Sequence, residues 1–192
     1  MSTLEVNSIQ PLSSGSTITL GASGKTLSIP SGCTITNSGT ATGFGGGKVG
    51  QIVQASTTSE TQLQTTSFGD TNLTGSITPT STSSKIIVDV RGFIMIDASV
   101  SSSGRNANHR LVRTISSSDT TLQTDEHTLT MTGSASNNAG YIFQIGYQFL
   151  DSPSTTSACT YKIQISVDNT NYRINFPHDG NKATITLTEV LA

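Results

Sequence analysis

Apolar residues two positions apart recur along most of this chain, and no stretch sustains the three-to-four-residue recurrence of a helix. The clearest run, KIIVDVRGFIMIDA at 85–98, sets Ile86, Val88, Val90, Ile94, Ile96 and Ala98 on one side. Its other side mixes Ile87, Asp89, Arg91, Phe93, Met95 and Asp97, the pattern of a half-covered sheet face. VGQIVQA (49–55), HRLVRTI (109–115), YIFQIGYQFL (141–150), YKIQISV (161–167), YRINF (172–176) and ATITLTEV (183–190) alternate in the same way, with shorter pieces around Leu122 and over 129–131. In YKIQISV the pattern turns Tyr161, Ile163, Ile165 and Val167 inward and Lys162, Gln164 and Ser166 outward. Tyr141, Phe143, Ile145, Tyr147 and Phe149 share one side of their strand and read as core, not as a sugar-stacking platform. Eight or nine strands joined by Ser/Thr/Gly/Asn connections predict an all-β protein whose residues 48–192 form an antiparallel, jelly-roll-like β-sandwich.

Residues 1–47 read differently. The leader MSTLEVNSIQP carries only Leu4, Val6 and Ile9 as apolar anchors. A degenerate short repeat follows, with Ile18/Leu20, Leu27/Ile29 and Cys33/Ile35 as pairs on one strand face, punctuated by Gly15, Gly24, Gly32 and Gly39. Six modest side chains bury too little to offset the entropy of ordering about thirty residues at ~1.5 kcal/mol each. Copies of the segment wound about a shared axis could bury that face together and pair the strand edges. The segment therefore reads as a thin, intertwined β-stem, with a segment draped on another protein as the compatible alternative, closed by the glycine-rich joint GFGGG at 43–47.

Composition separates this chain from a disordered one. Charged residues are 11% and hydrophobic residues 33%, while 29 serines and 32 threonines fill much of the rest. Threonine suits a pleated sheet with a wet face, whereas disordered tails are rich in charge and poor in β-branched residues. The net charge of −2 and the absence of any like-charge run exclude a basic nucleic-acid footprint and a polybasic membrane patch. No apolar run approaches the ~20 residues of a membrane helix. The N-terminus lacks the basic start and apolar core of a secretion signal, so synthesis in the cytoplasm is expected. Cys33 and Cys159 are too few for a disulfide framework or a four-ligand zinc site, and both read as reduced and partly buried.

Candidate chemistry is sparse. His109, His127 and His178 show no HxH or HExxH spacing, so no metal site is expected. There is no GxSxG elbow, and Asp125–Glu126 are neighbours that a strand turns to opposite faces, unlike a paired glycosidase dyad. Asp89, Arg91 and Asp97, evenly spaced, could form a cross-strand ion network. GFGGG lacks the GK[ST] of a phosphate loop. No enzyme and no cofactor are expected. The long polar connections 98–108, 132–140 and 151–158 are where a sandwich carries recognition, which singles out Arg105, Asn106, Asn108, Asn137 and Asn138.

Four phrases carry a resemblance: ITLGASGKTLSIPSGCTITNSGTATGFGGG, KVGQIVQAS, ITPTSTSSKIIVDV and QFLDSPSTTSACTYKIQISV. Together they resemble the short fibre and tail-fibre proteins of tailed bacteriophages, marine and cyanobacterial types above all, across nearly the whole chain. The resemblance implies a homotrimeric virion protein attached by its N-terminus to tail or capsid proteins. Leu4, Val6 and Ile9 would sit at that attachment, and the head would face a host-surface glycan or protein. The chain is short for a full-length fibre and has no coiled-coil shaft, which leaves a capsid decoration or cement protein as the alternative. A glycan-processing spike is a third reading.

Overall fold

In the computed structural model the chain divides into two units, Met1–Thr42 and Gly43–Ala192. The structure describes residues 48–98, 105–129 and 140–191, together with Ser28 and 31–32. The expected stem residues Ile18, Leu20, Leu27, Ile29, Cys33 and Ile35, and the anchors Leu4, Val6 and Ile9, lie outside the described residues, as do Asn137 and Asn138.

The described part of the second unit is built of strands: β1 (Lys48–Thr57), β2 (Thr61–Leu63), β3 (Gly69–Ile77), β4 (Lys85–Ala98), β5 (Arg105–Ile115), β6 (Ser118–Leu129), β7 (Gly140–Asp151), β8 (Cys159–Val167), β9 (Tyr172–Phe176) and β10 (Ala183–Leu191). They form two antiparallel sheets. The first runs β1-β10-β4-β9-β2, with β7 along the other edge of β4; the second runs β3-β8-β5-β6. Pairing is nested: β5 with β6, β4 with β7, β3 with β8, β2 with β9 and β1 with β10. The domain is thus one long hairpin folded over into a sandwich, the jelly-roll-like architecture the alternation predicts.

The strand β4 organises the first sheet. Over its whole length it pairs with β7; on its other edge β10 takes the first half and β9 the second. Ile86, Val88, Val90, Ile94 and Ile96 are fully buried. They meet Leu111, Ile163 and Ile165 of the second sheet in one core that also takes in Ile174, Phe176, Ile185 and Leu187. Tyr147 and Ile145 are core, and Tyr141, Phe143 and Phe149 pack against it, as their stripe predicts.

Several elements differ from the sequence expectation. The strands β2 and β3 were not foreseen. In β3 the inward positions are Thr71, Leu73, Gly75 and Ile77, only two of them bulky, and Thr71 donates to the Ile163 carbonyl at 2.9 Å. The pieces around Leu122 and Leu129 belong to the single strand β6. Arg105, Asn106 and Asn108 lie in β5, not in a loop, because Ala107 and His109 fill the inward positions between them. Asp97 pairs with Arg173 of β9, while Arg91 pairs with Asp89 of its own strand at 3.2 Å.

Candidate functional site

The sandwich has two distinct ends. At one, Lys48 pairs with Leu191, Val190 with Lys85 and Ile86 with Asp151. At the other, β4 ends at Ala98 beside Tyr172, Arg105 pairs with Leu129, Asp97 pairs with Gly140, and Ala107 pairs with Val167. The connections that start after Ala98 and Leu129 therefore leave from the end opposite Lys48. A strand of 14 residues separates the two ends by about 45 Å at ~3.3 Å per residue.

The far end is polar. Asp168, Asn169 and Thr170 form an exposed turn between β8 and β9. The Asn169 side chain accepts from the Asn171 N–H at 2.9 Å, its carbonyl accepts from the Tyr172 N–H at 3.1 Å, and Gln64 donates to the Thr170 carbonyl at 2.6 Å. The Asn106 N–H reaches Asp168 Oδ1 at 3.4 Å, tying the start of β5 to this turn. Arg173 and Asp97 form an ion pair beside it. The sequence expectation puts Asn106 and Asn108 in the connection 98–108 and leaves out the DNT turn, whose Asx side chains are the available signal.

Buried titratable groups are tied into the scaffold. Asp151, 5% exposed, accepts two hydrogen bonds from Arg113 Nη1 at 2.7 and 2.8 Å and one from the Tyr161 hydroxyl at 2.7 Å, joining β7 to the second sheet. Burial, then the Asp151 carboxylate, pushes the Tyr161 phenol well above its usual range. Glu189 is fully buried and accepts from Gln51 Nε2 at 2.8 Å and from the Thr80 N–H and hydroxyl at 2.7 and 2.8 Å. Burial alone would raise its pKa, but these donors, Gln51 foremost, outweigh that and hold it at about 2. The Tyr147 hydroxyl hydrogen-bonds His109 Nδ1, with the rings edge-to-face at 5.3 Å. Burial raises the Cys159 thiol, the opposite of what a nucleophile needs. Among the described residues no three His, Cys, Asp or Glu gather as a metal site.

The two outer faces of the sandwich contrast. On the second sheet, Lys162 bridges Asp70 at 3.0 Å and Asp119 at 2.9 Å. Gln164 donates to Asp70 at 2.5 Å and accepts from Arg110 Nε at 2.7 Å, and the Arg110 guanidinium stacks 4.2 Å over the Phe68 ring. Thr114 also donates to Asp119 at 2.6 Å, and with Lys162 this holds the Asp119 carboxyl below the usual range. That face is a polar lattice whose charges are already engaged, and it covers Gln164 and Ser166, which the alternation had put in solvent. On the first sheet, register aligns Ile52, Thr188, Ile87 and Leu150 in a row across four strands, with Val49 beside Val190 in the next. Further along come a polar groove of about 250 Å³ lined by Asp89, Arg91, Gln144, Gly146 and Gln148, and then Phe93 and Ile142. The described large hydrophobics that stand exposed, Val49, Ile52, Phe93, Ile142 and Leu150, all belong to this sheet.

No protein-family model and no curated protein matches the chain. Among solved structures it is similar to the Gx strain of infectious bursal disease virus, at 12% identity and a TM-score of 0.31 over 75% of this chain and 39% of that one. It is also similar to the VP2 subviral particle of infectious bursal disease virus, at 13% identity and a TM-score of 0.28 over 74% and 38%. The chain thus spans about two fifths of the length of either. Likeness of this size carries no inference about what the chain does.

Proposed function

We propose that this chain is a non-enzymatic structural protein of a tailed-phage virion. It is a fibre or spike subunit that associates as a homotrimer through residues 12–42, docks on tail or capsid proteins through its first residues, and holds a β-sandwich head toward the host surface. The observation that carries the reading is placement. The head is entered at Lys48, at one end of β4, while the polar turn at 168–170 and the strand ends Ala98 and Leu129 sit at the other. A head mounted by its entry point presents that polar end outward, where exposed amides and the Asp168 carboxylate suit a host-surface glycan or protein. The phage-fibre phrases in the sequence and the core-poor repeat ahead of a self-sufficient head point the same way.

The test has two arms. Deleting residues 1–42 is expected to leave a soluble head that no longer joins particles; normal incorporation of the truncated protein would sink the attachment role. Charged substitutions in 98–108 and 132–140 are expected to lower adsorption to host cells. Unchanged adsorption with weakened particles would instead identify a decoration protein of the shell, and reducing ends released from host polysaccharide would identify a glycan-processing spike.

A further inference from the structure

We infer that the outer face of the first sheet is the surface on which the heads of sister chains meet, arranged head-to-tail in a ring. The partner is a second copy of this chain, and the inference rests on the homotrimer reading above. Its starting point is the asymmetry between the faces. The second sheet satisfies its own charges across its outer surface, while the first leaves Val49 59%, Ile52 63%, Ile142 57% and Leu150 54% exposed. Concentrated exposed apolar area of this kind marks a contact surface.

The distribution of these residues, taken with three copies, fits one kind of contact. Val49 and Ile52 lie on β1, and Ile142 and Leu150 on β7, at opposite margins of the sheet. At one end, β10 and β4 lie between them, so the patches stand three strand spacings, about 14 Å, apart. The intervening column on β10 is Thr184, Thr186 and Thr188. A two-fold pair would set both margins of one face against both margins of its partner at once, whereas three copies, as the homotrimer reading has them, close through a contact between unlike margins, one for each neighbour. The β7 margin of one head against the β1 margin of the next provides that pair. The face measures about 19 by 30 Å, roughly 570 Å² in projection, and a ring divides it between two neighbours, so each contact falls well short of the ~800 Å² per partner of a standard interface. Of the charges on this face, Asp89 and Arg91 lie paired in the groove between the margins, and Lys85 stands exposed at the entry end beside Val190.

Location supplies the second argument for a sister chain. Val49 is the second residue of β1, immediately after the segment expected to bind its own copies. Copies joined there hold these margins at high effective concentration, so a contact too weak to assemble free heads closes once the stem has formed.

The experiment uses the full chain. Light scattering gives its mass, and hydrogen exchange is followed in Ile52→Lys and Leu150→Lys, with Thr121→Glu on the second sheet as control. The expected result is a mass of three 20.0 kDa chains. Exchange should be about tenfold faster in β7 of Ile52→Lys and in β1 of Leu150→Lys, each at the margin not mutated, with the control unchanged. A three-chain mass with exchange unaltered in both variants overturns the interface and leaves the trimer standing. Faster exchange at the mutated margin alone overturns the head-to-tail arrangement. A single-chain mass for the unmutated protein overturns the trimer and the interface with it. Ile52 and Leu150 are more than half exposed and Thr121 is exposed, and circular dichroism of each variant verifies that its head is folded.

Discussion

Asp151 and Glu189 occupy positions where a carboxylate is costly unless fully engaged, and each is engaged by donors from distant parts of the chain. Removing Asp151 leaves the Arg113 guanidinium, 15% exposed, without its counter-charge. Asp151→Ala is expected to lower unfolding free energy by about 3–5 kcal/mol, measured by urea denaturation. Glu189 makes a pH prediction. Its folded-state pKa, about 2, lies below the ordinary value of 4.5, so its stabilisation is complete above pH 4.5 and is lost as pH falls toward 2. Glu189→Gln should flatten the acid limb of the stability curve in that window; a limb as steep as before would show that Glu189 does not set it. The alternation of ATITLTEV puts Glu189 on the side of Ile185 and Leu187, so its inward aspect was readable. Its partner Gln51 lies 138 residues away, and nothing local announces it.

Among the elements, β4 was readable to the residue because its inward side is bulky at nearly every position. The strand β3 was not, since Thr71 and Gly75 occupy inward sites where a bulky signal would be needed. Gly75 sits beneath Ile185, whose Cγ2 lies 3.0 Å from where a Cβ would stand, so the core excluded the very side chain that would have revealed the strand. The start of β5 was hidden in the same way by Ala107 and by a buried histidine. Two strand glycines behave oppositely. A Cβ on Gly92 would collide with the Phe176 ring, 2.8 Å from Cζ, and that ring is fully buried. Gly92→Ala is expected to cost about 1–3 kcal/mol. At Gly146 the nearest atom is the Val90 carbonyl oxygen at 3.7 Å, an ordinary contact. Gly146→Ala should change stability by no more than ~0.5 kcal/mol while filling the groove floor, which thermal denaturation of the two variants side by side would test.

At the scale of the molecule, composition and alternation established an all-β sandwich but could not set the order of strands, because the pairing partners are read only once the sheet closes. The strand β10 lies between β1 and β4 and carries the fully buried Ile185 and Leu187. Truncation at residue 182 should therefore abolish the cooperative unfolding transition seen by circular dichroism, rather than merely shift it. The nested pairing also orders events in time. The first strand of the head has the last as its mate, so a chain growing on the ribosome cannot complete this domain until its final residues emerge. At ~5–20 residues per second, that delay is on the order of ten seconds. Under the homotrimer proposed above, that interval lets nascent neighbours on one messenger join through residues 12–42 before any head has closed.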